Sequence, residues 1–107
     1  MYKRQDEQIE NYIAEIVFAT REPQNYHLEE LQSYIRFGVS PRGSIDLFKA
    51  SKASALMQGR DYVTPVDVMS VAKEVLRHRI VLDYEAEASD ISTDIILDKI
   101  IETLPIP

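Results

Sequence analysis

The chain has no cysteine and no tryptophan, and only two histidines and three glycines in 107 residues. Without cysteine it holds no disulfide framework, thiolate metal site or cysteine nucleophile. Two histidines, His27 and His78, are too few for a multi-histidine metal centre. No apolar run approaches the roughly 18 residues that span a bilayer, so membrane insertion is not expected. Residues Met1 to Glu10 lack the apolar core of a signal peptide. Positive charge is also scarce. Twelve Lys and Arg against eighteen Asp and Glu leave a net charge of −6, and an acidic surface repels phosphate backbones, which argues against a nucleic-acid partner. What is present is an ordinary globular balance, 45% hydrophobic and 28% charged, at the length of one small domain. The expectation is a single soluble cytoplasmic domain.

Its punctuation predicts a mainly α fold of about four main helices. In Gln5 to Thr20, the residues Ile9, Tyr12, Ile13, Ile16 and Val17 fall on one helical stripe that stops before Pro23. Pro23 to Val39 is less periodic. Its buried candidates are Leu28, Leu31, Tyr34, Ile35 and Phe37. Ser40-Pro41 reads as an N-cap followed by a first helical proline, opening a helix to about Met57, with Gly59 as its stop. Ile45, Leu47, Phe48, Leu56 and Met57 place apolar residues around most of that helix, which predicts a central position. Thr64-Pro65 repeats the start signal, with Asp67 where a capping-box carboxylate belongs, for a two-faced helix to about His78. Asp67 is expected on its solvent side. Ile80-Val81-Leu82 reads as a short strand able to pair with Tyr34 to Phe37, forming a tiny two-stranded ribbon. Asp83 to Ser92 reads as an acidic loop, and Asp94 to Leu104 as a last helix.

No catalytic constellation is complete. A P-loop requires a glycine followed by lysine, which together cradle phosphate, and no glycine here is followed by lysine. Ile80 to Glu85 imitates a strand ending in a metal-binding carboxylate, but a short strand entering an acidic loop explains it. His78 has no nearby nucleophile in sequence. Arg42 is different. A cation in the first turn opposes the helix dipole, at a cost of roughly 0.3–1 kcal/mol, while the free amides of that turn favour anions. It could contact a phosphate, or simply pair with Asp46 one turn on. Arg60 and Asp61 in the interhelix loop, and Arg77-His78-Arg79, are candidate interface residues, each with a plain reading as solvated or locally bonded charge.

Taken in order, five segments resemble one known family. They are Tyr12-Ile13 through Ala19-Thr20-Arg21, Gly38-Val39-Ser40-Pro41-Arg42-Gly43, Leu56 through Val68 around Gly59-Arg60-Asp61-Tyr62-Val63-Thr64-Pro65, Val75 through Ile80, and Tyr84-Glu85-Ala86-Glu87-Ala88. The series resembles the C-terminal lid domain of the MoxR family of AAA+ ATPases, over about Ile9 to Leu104. The resemblance implies that residues 1–107 are one helical lid and that ATP and Mg2+ are bound mainly by a P-loop core not contained in this chain. It further implies that Arg42 acts as the sensor 2 arginine reaching the nucleotide phosphates, flanked by Ser40, Pro41 and Gly43. Gly43 departs from the alanine often found there. The implied partners are the ATPase core, neighbouring subunits of a ring and von Willebrand factor A domain proteins, in chaperone-like remodelling. On its own the chain is not expected to hydrolyse ATP, having no Walker A segment. The rival expectation is a histone-like helical module that dimerises and has no nucleotide role.

Overall fold

The computed structural model describes the backbone of residues 2–107 and the side chains of residues 7–107. Its elements run α1 (Tyr2–Arg21), two 3-10 turns (Pro23–Tyr26 and Glu29–Leu31), β1 (Ile35–Phe37), α2 (Arg42–Met57), α3 (Pro65–Leu76), β2 (Val81–Leu82), α4 (Tyr84–Ala88) and α5 (Thr93–Thr103). Helices predominate and β1 pairs with β2 as an antiparallel ribbon, as the sequence predicts. The stripe of α1 is buried, with Ile9, Tyr12, Ile13, Ile16 and Val17 all in the core. They meet Leu47 of α2, Val68, Ala72 and Leu76 of α3, and Ile96, Leu97 and Ile100 of α5. The widest helix contact is between α2 and α3.

Several expectations are corrected. The segment expected as an acidic loop contains α4. Asp83 caps it, its side chain accepting from the Tyr84 amide at 2.8 Å, and Ala86 is buried beneath it. It stops at Asp90 in the left-handed conformation, φ 57°, with the Ile91 amide returning to the Ala86 carbonyl at 2.8 Å. Glycine usually fills that position, so the helix end carries no obvious signal. Phe37 is exposed rather than buried, because the ribbon is irregular between Ile35 and Phe37 and the strand turns there.

The central-helix expectation for α2 also fails. Only the row Gly43, Leu47, Ser51 and Ala55 is buried, while Ile45, Leu56 and Met57 face out, Met57 at 85% exposure. A domain this small has too few elements to cover both sides of a helix.

The junction between α1 and α2 is tight. The Thr20 hydroxyl donates to the Val17 carbonyl at 2.6 Å and accepts from the Val39 amide at 2.9 Å. Gly38 lies against the backbone of Thr20 and Arg21, where a methyl would overlap the Thr20 carbonyl and stand 2.7 Å from the Arg21 nitrogen. At the other end of α2, Gly59 adopts φ 79°. The Gly59 amide reaches the Leu56 carbonyl at 3.0 Å and the Arg60 amide reaches that of Ala55 at 2.9 Å. This is a Schellman stop.

The two glycines therefore separate in cost. Gly38→Ala meets backbone that cannot yield and is expected to lose about 3 kcal/mol. Gly59→Ala has open space around it and should lose only about 1–2 kcal/mol, from the left-handed backbone alone. Urea unfolding of the two variants checks this, and equal losses would contradict the packing account.

Candidate functional site: the first turn of α2

Arg42 is the first residue of α2, and its side chain is exposed. Ser40 and Pro41 are exposed beside it, whereas Gly43 lies in the buried row of α2 and Val39, three residues before Arg42, is fully buried. Gly43 leaves room there for Val39, whose side chain as placed would overlap a methyl at this position. Ser40 does not cap the helix through its side chain. Pro41 already has helical angles (φ −56°, ψ −25°), and the start carries no side-chain cap. Instead the Ser40 carbonyl accepts from the Gly43 amide at 2.9 Å, and the Pro41 carbonyl accepts from the Ser44 amide at 3.1 Å. The positive end of α2 is thus left without a side-chain acceptor, and the residue presented beside it is a cation.

The plain alternative for Arg42, an ion pair with Asp46, is not what forms. The Asp46 carboxylate is held by Arg79, Nη2 to Oδ2 at 2.7 Å. Arg79 is itself anchored by donation from Nε to the Val75 carbonyl at 3.1 Å. Among the described residues no ion pair or side-chain hydrogen bond involves Arg42. An open apolar groove between α1 and α2, walled by Ile13, Ala14, Ile45 and Phe48, does not include Arg42.

The other candidate residues are placed mostly in internal contacts. Arg77 grips Asp94 with two bonds, Nε to Oδ1 at 3.0 Å and Nη2 to Oδ2 at 3.1 Å. Together with Lys73–Asp98 at 2.9 Å it ties α3 to α5. His78 and Asp61 are exposed. Arg60 turns inward to Asp67, Nη2 to Oδ1 at 2.6 Å and Nη1 to Oδ2 at 3.3 Å, with its guanidinium 5.8 Å from the Tyr62 ring centre.

Asp67, expected on the solvent side of α3, is buried at 3% exposure. It completes a capping box with Thr64, accepting from the Thr64 amide at 2.8 Å and its hydroxyl at 3.0 Å, and it also accepts from Ser54 of α2 at 3.3 Å. Burial alone would raise the Asp67 pKa. The Thr64 bonds and the Arg60 charge outweigh it and hold the carboxyl below the ordinary value of 3.8. The loop is thereby locked to both helices. The capping pattern announced the Thr64 contact, but nothing in the sequence announced Arg60 or Ser54 as partners.

The profile of the AAA lid domain family matches residues 29–100. The chain is 42% identical over 97 residues to Chaperone MoxR1 of Mycobacterium tuberculosis, covering 91% of this chain and 26% of that protein. It is 33% identical over 105 residues to Protein MoxR of Paracoccus denitrificans, covering 92% of this chain and 31% of that protein. A crystal structure from Cytophaga hutchinsonii, described as that of an ATPase, superposes with a TM-score of 0.91 at 48% identity, over 94% of this chain and 31% of the other. The chain therefore belongs to the AAA lid domain family, as the lid of a MoxR-type AAA+ ATPase. It spans about a quarter to a third of the length of these relatives.

Asp67 gives a pH signature. Its folded pKa is lowered, so its contribution is complete above the unfolded value of 3.8 and is lost as pH falls through the folded value. Asp67→Asn should lose about 1.5–3 kcal/mol at pH 7, with the gap to wild type closing as both are taken to acid. Urea midpoints measured from pH 7 downward check this. A gap that stays constant to the lowest pH at which both fold would contradict an ionised partner for Arg60.

Proposed function

We propose that the chain senses nucleotide for a longer ATPase, with Arg42 contacting the phosphates of ATP at the cleft between this lid and a P-loop core. The observation that carries the reading is the state of Arg42. It is an exposed cation at a helix start with no side-chain cap, and the nearest carboxylate along the helix is bound elsewhere. Left in that place without a partner, it opposes the helix dipole. An anion at the same spot reverses the sign of the local interaction, since the amides of the turn and the guanidinium then face it together.

Family likeness supports the same assignment, the G-x-S-P-R series ending at this arginine. The residues present suit phosphate contact and not metal ligation. Among the described residues no group of three or more His, Cys, Asp or Glu stands ready to hold an ion. In this reading Mg2+ is held by the core, where it neutralises phosphate charge. No described helix is long and apolar enough to cross a membrane.

The coupling step follows from rigidity. Arg42 meets the γ-phosphate, and hydrolysis removes that contact. Ion pairs from α3 to α5, the Asp67 lock between α2 and α3, and the Arg79–Asp46 bond join the helices into one body. The lid then turns as a unit and moves a neighbouring subunit of the ring. Chaperone-like remodelling, with von Willebrand factor A domain proteins as partners, is the task this motion serves. A dimerising helical module would give Arg42 no role.

In the full-length ATPase, Arg42→Ala should lower kcat by about tenfold to a thousandfold, the range for loss of one group aimed at developing phosphoryl charge. Folding stability should change by less than about 0.5 kcal/mol, as for other exposed positions. Steady-state ATP turnover and thermal melting check both. A variant with wild-type kcat and KM would overturn the reading.

A further inference from the structure

We infer that Arg79 is a positioning residue for Arg42, keeping it available to phosphate by holding the carboxylate that would otherwise neutralise it. This rests on the reading of Arg42 as a phosphate contact. Arg42 and Asp46 are four residues apart on one helix, so their side chains are neighbours, and opposite charges at that spacing attract each other when no competitor holds either one. Here a competitor is built in. Arg79 lies just beyond the end of α3, and its amide bonds the Leu76 carbonyl at 2.9 Å. Its Nε donates to the Val75 carbonyl at 3.1 Å while Nη2 lies 2.7 Å from Asp46 Oδ2. The two bonds use two separate nitrogens of one planar guanidinium, which a lysine ammonium on a flexible stem would not hold in the same way. Asp46 and Arg79 are both partly shielded, at 29% and 39% side-chain exposure. They bridge α2 and the end of α3, the helices with the widest contact in the domain.

The consequence is electrostatic. With Asp46 matched to Arg79, the first turn of α2 presents the full charge of Arg42. With Arg79 removed, Asp46 can close on Arg42, and its negative charge faces any anion one turn away. This also accounts for two cations near the start of α2 where a single phosphate contact needs only one. Arg79 compensates Asp46, and Arg42 is left for the ligand.

The test is a set of variants in the full-length ATPase, read by steady-state turnover and by the Kd of a non-hydrolysable ATP analogue. Arg79→Ala and Arg79→Gln should each weaken binding and turnover by about three- to tenfold, the effect of one carboxylate a helical turn from the contact in a partly solvated setting. Asp46→Asn alone should stay within about twofold of wild type, since it leaves Arg42 without a competitor. Adding Asp46→Asn to either Arg79 variant should restore both readouts. A purely structural clamp predicts the opposite: Asp46→Asn as harmful as Arg79→Ala, and no rescue in the double variant. That result overturns the inference, as does wild-type behaviour of both Arg79 variants. Arg42→Ala in the same series separates the two claims. If it is unimpaired, the phosphate reading fails and this one with it. If it is impaired while the Arg79 variants are not rescued by Asp46→Asn, only the positioning role fails.

Discussion

The close approach of Gly38 to the end of α1 determines where everything after it begins. A side chain at this position would overlap the Thr20 carbonyl, and the Thr20 hydroxyl holds the next amide, Val39, at 2.9 Å. Val39 is thereby driven into the core, and Gly43, the second residue of α2, gives it room. With Val39 and Gly43 turned inward, the helix geometry leaves Arg42 facing outward. The exposure of the proposed phosphate contact is therefore a consequence of packing on the opposite side of the same turn.

The second constraint is the turn between α2 and α3. A helical hairpin with a loose loop would absorb motion rather than pass it on. Here the turn is closed from both ends, by the Gly59 stop on α2 and by the Asp67 capping box on α3, with Arg60 bridging the two through a buried carboxylate. Buried charge pairs contribute little net stability but strongly disfavour alternatives in which one partner is stranded. For the rigid-body motion proposed here, such specificity matters more than raw stability. The Lys73–Asp98 and Arg77–Asp94 bonds extend the same body to α5.

Much of the fold was legible because its signals are local. Ser40-Pro41 placed α2 to within a residue or two, Thr64-Pro65-x-Asp67 marked α3, Gly59 marked a stop, and the α1 stripe named five core residues. Signals failed where structure is decided by distant neighbours. α4 ends on Asp90 in a conformation usually filled by glycine, and Phe37 turns out at an irregularity of the ribbon. Ile45, Leu56 and Met57 look like core residues but have no element above them. Asp67 was read as a surface cap because its tertiary partners, Ser54 and Arg60, are not visible in a helical wheel. At the site, Arg42 stood out as a breach of the dipole rule, whereas the fate of Asp46 depended on Arg79, a residue 33 positions away in sequence. Charge in sequence shows which groups need partners, and only packing shows which partner each one takes.

The central claim is that Arg42 reaches the nucleotide across a cleft this chain forms only in part. The most direct measurement is a structure of the full-length ATPase with Mg2+ and a non-hydrolysable ATP analogue bound. The account predicts the Arg42 guanidinium at hydrogen-bond distance, about 2.7–3.0 Å, from an oxygen of the terminal phosphate, with Asp46 still on Arg79. An Arg42 left in solvent, or paired with a carboxylate while the nucleotide is bound, would contradict it.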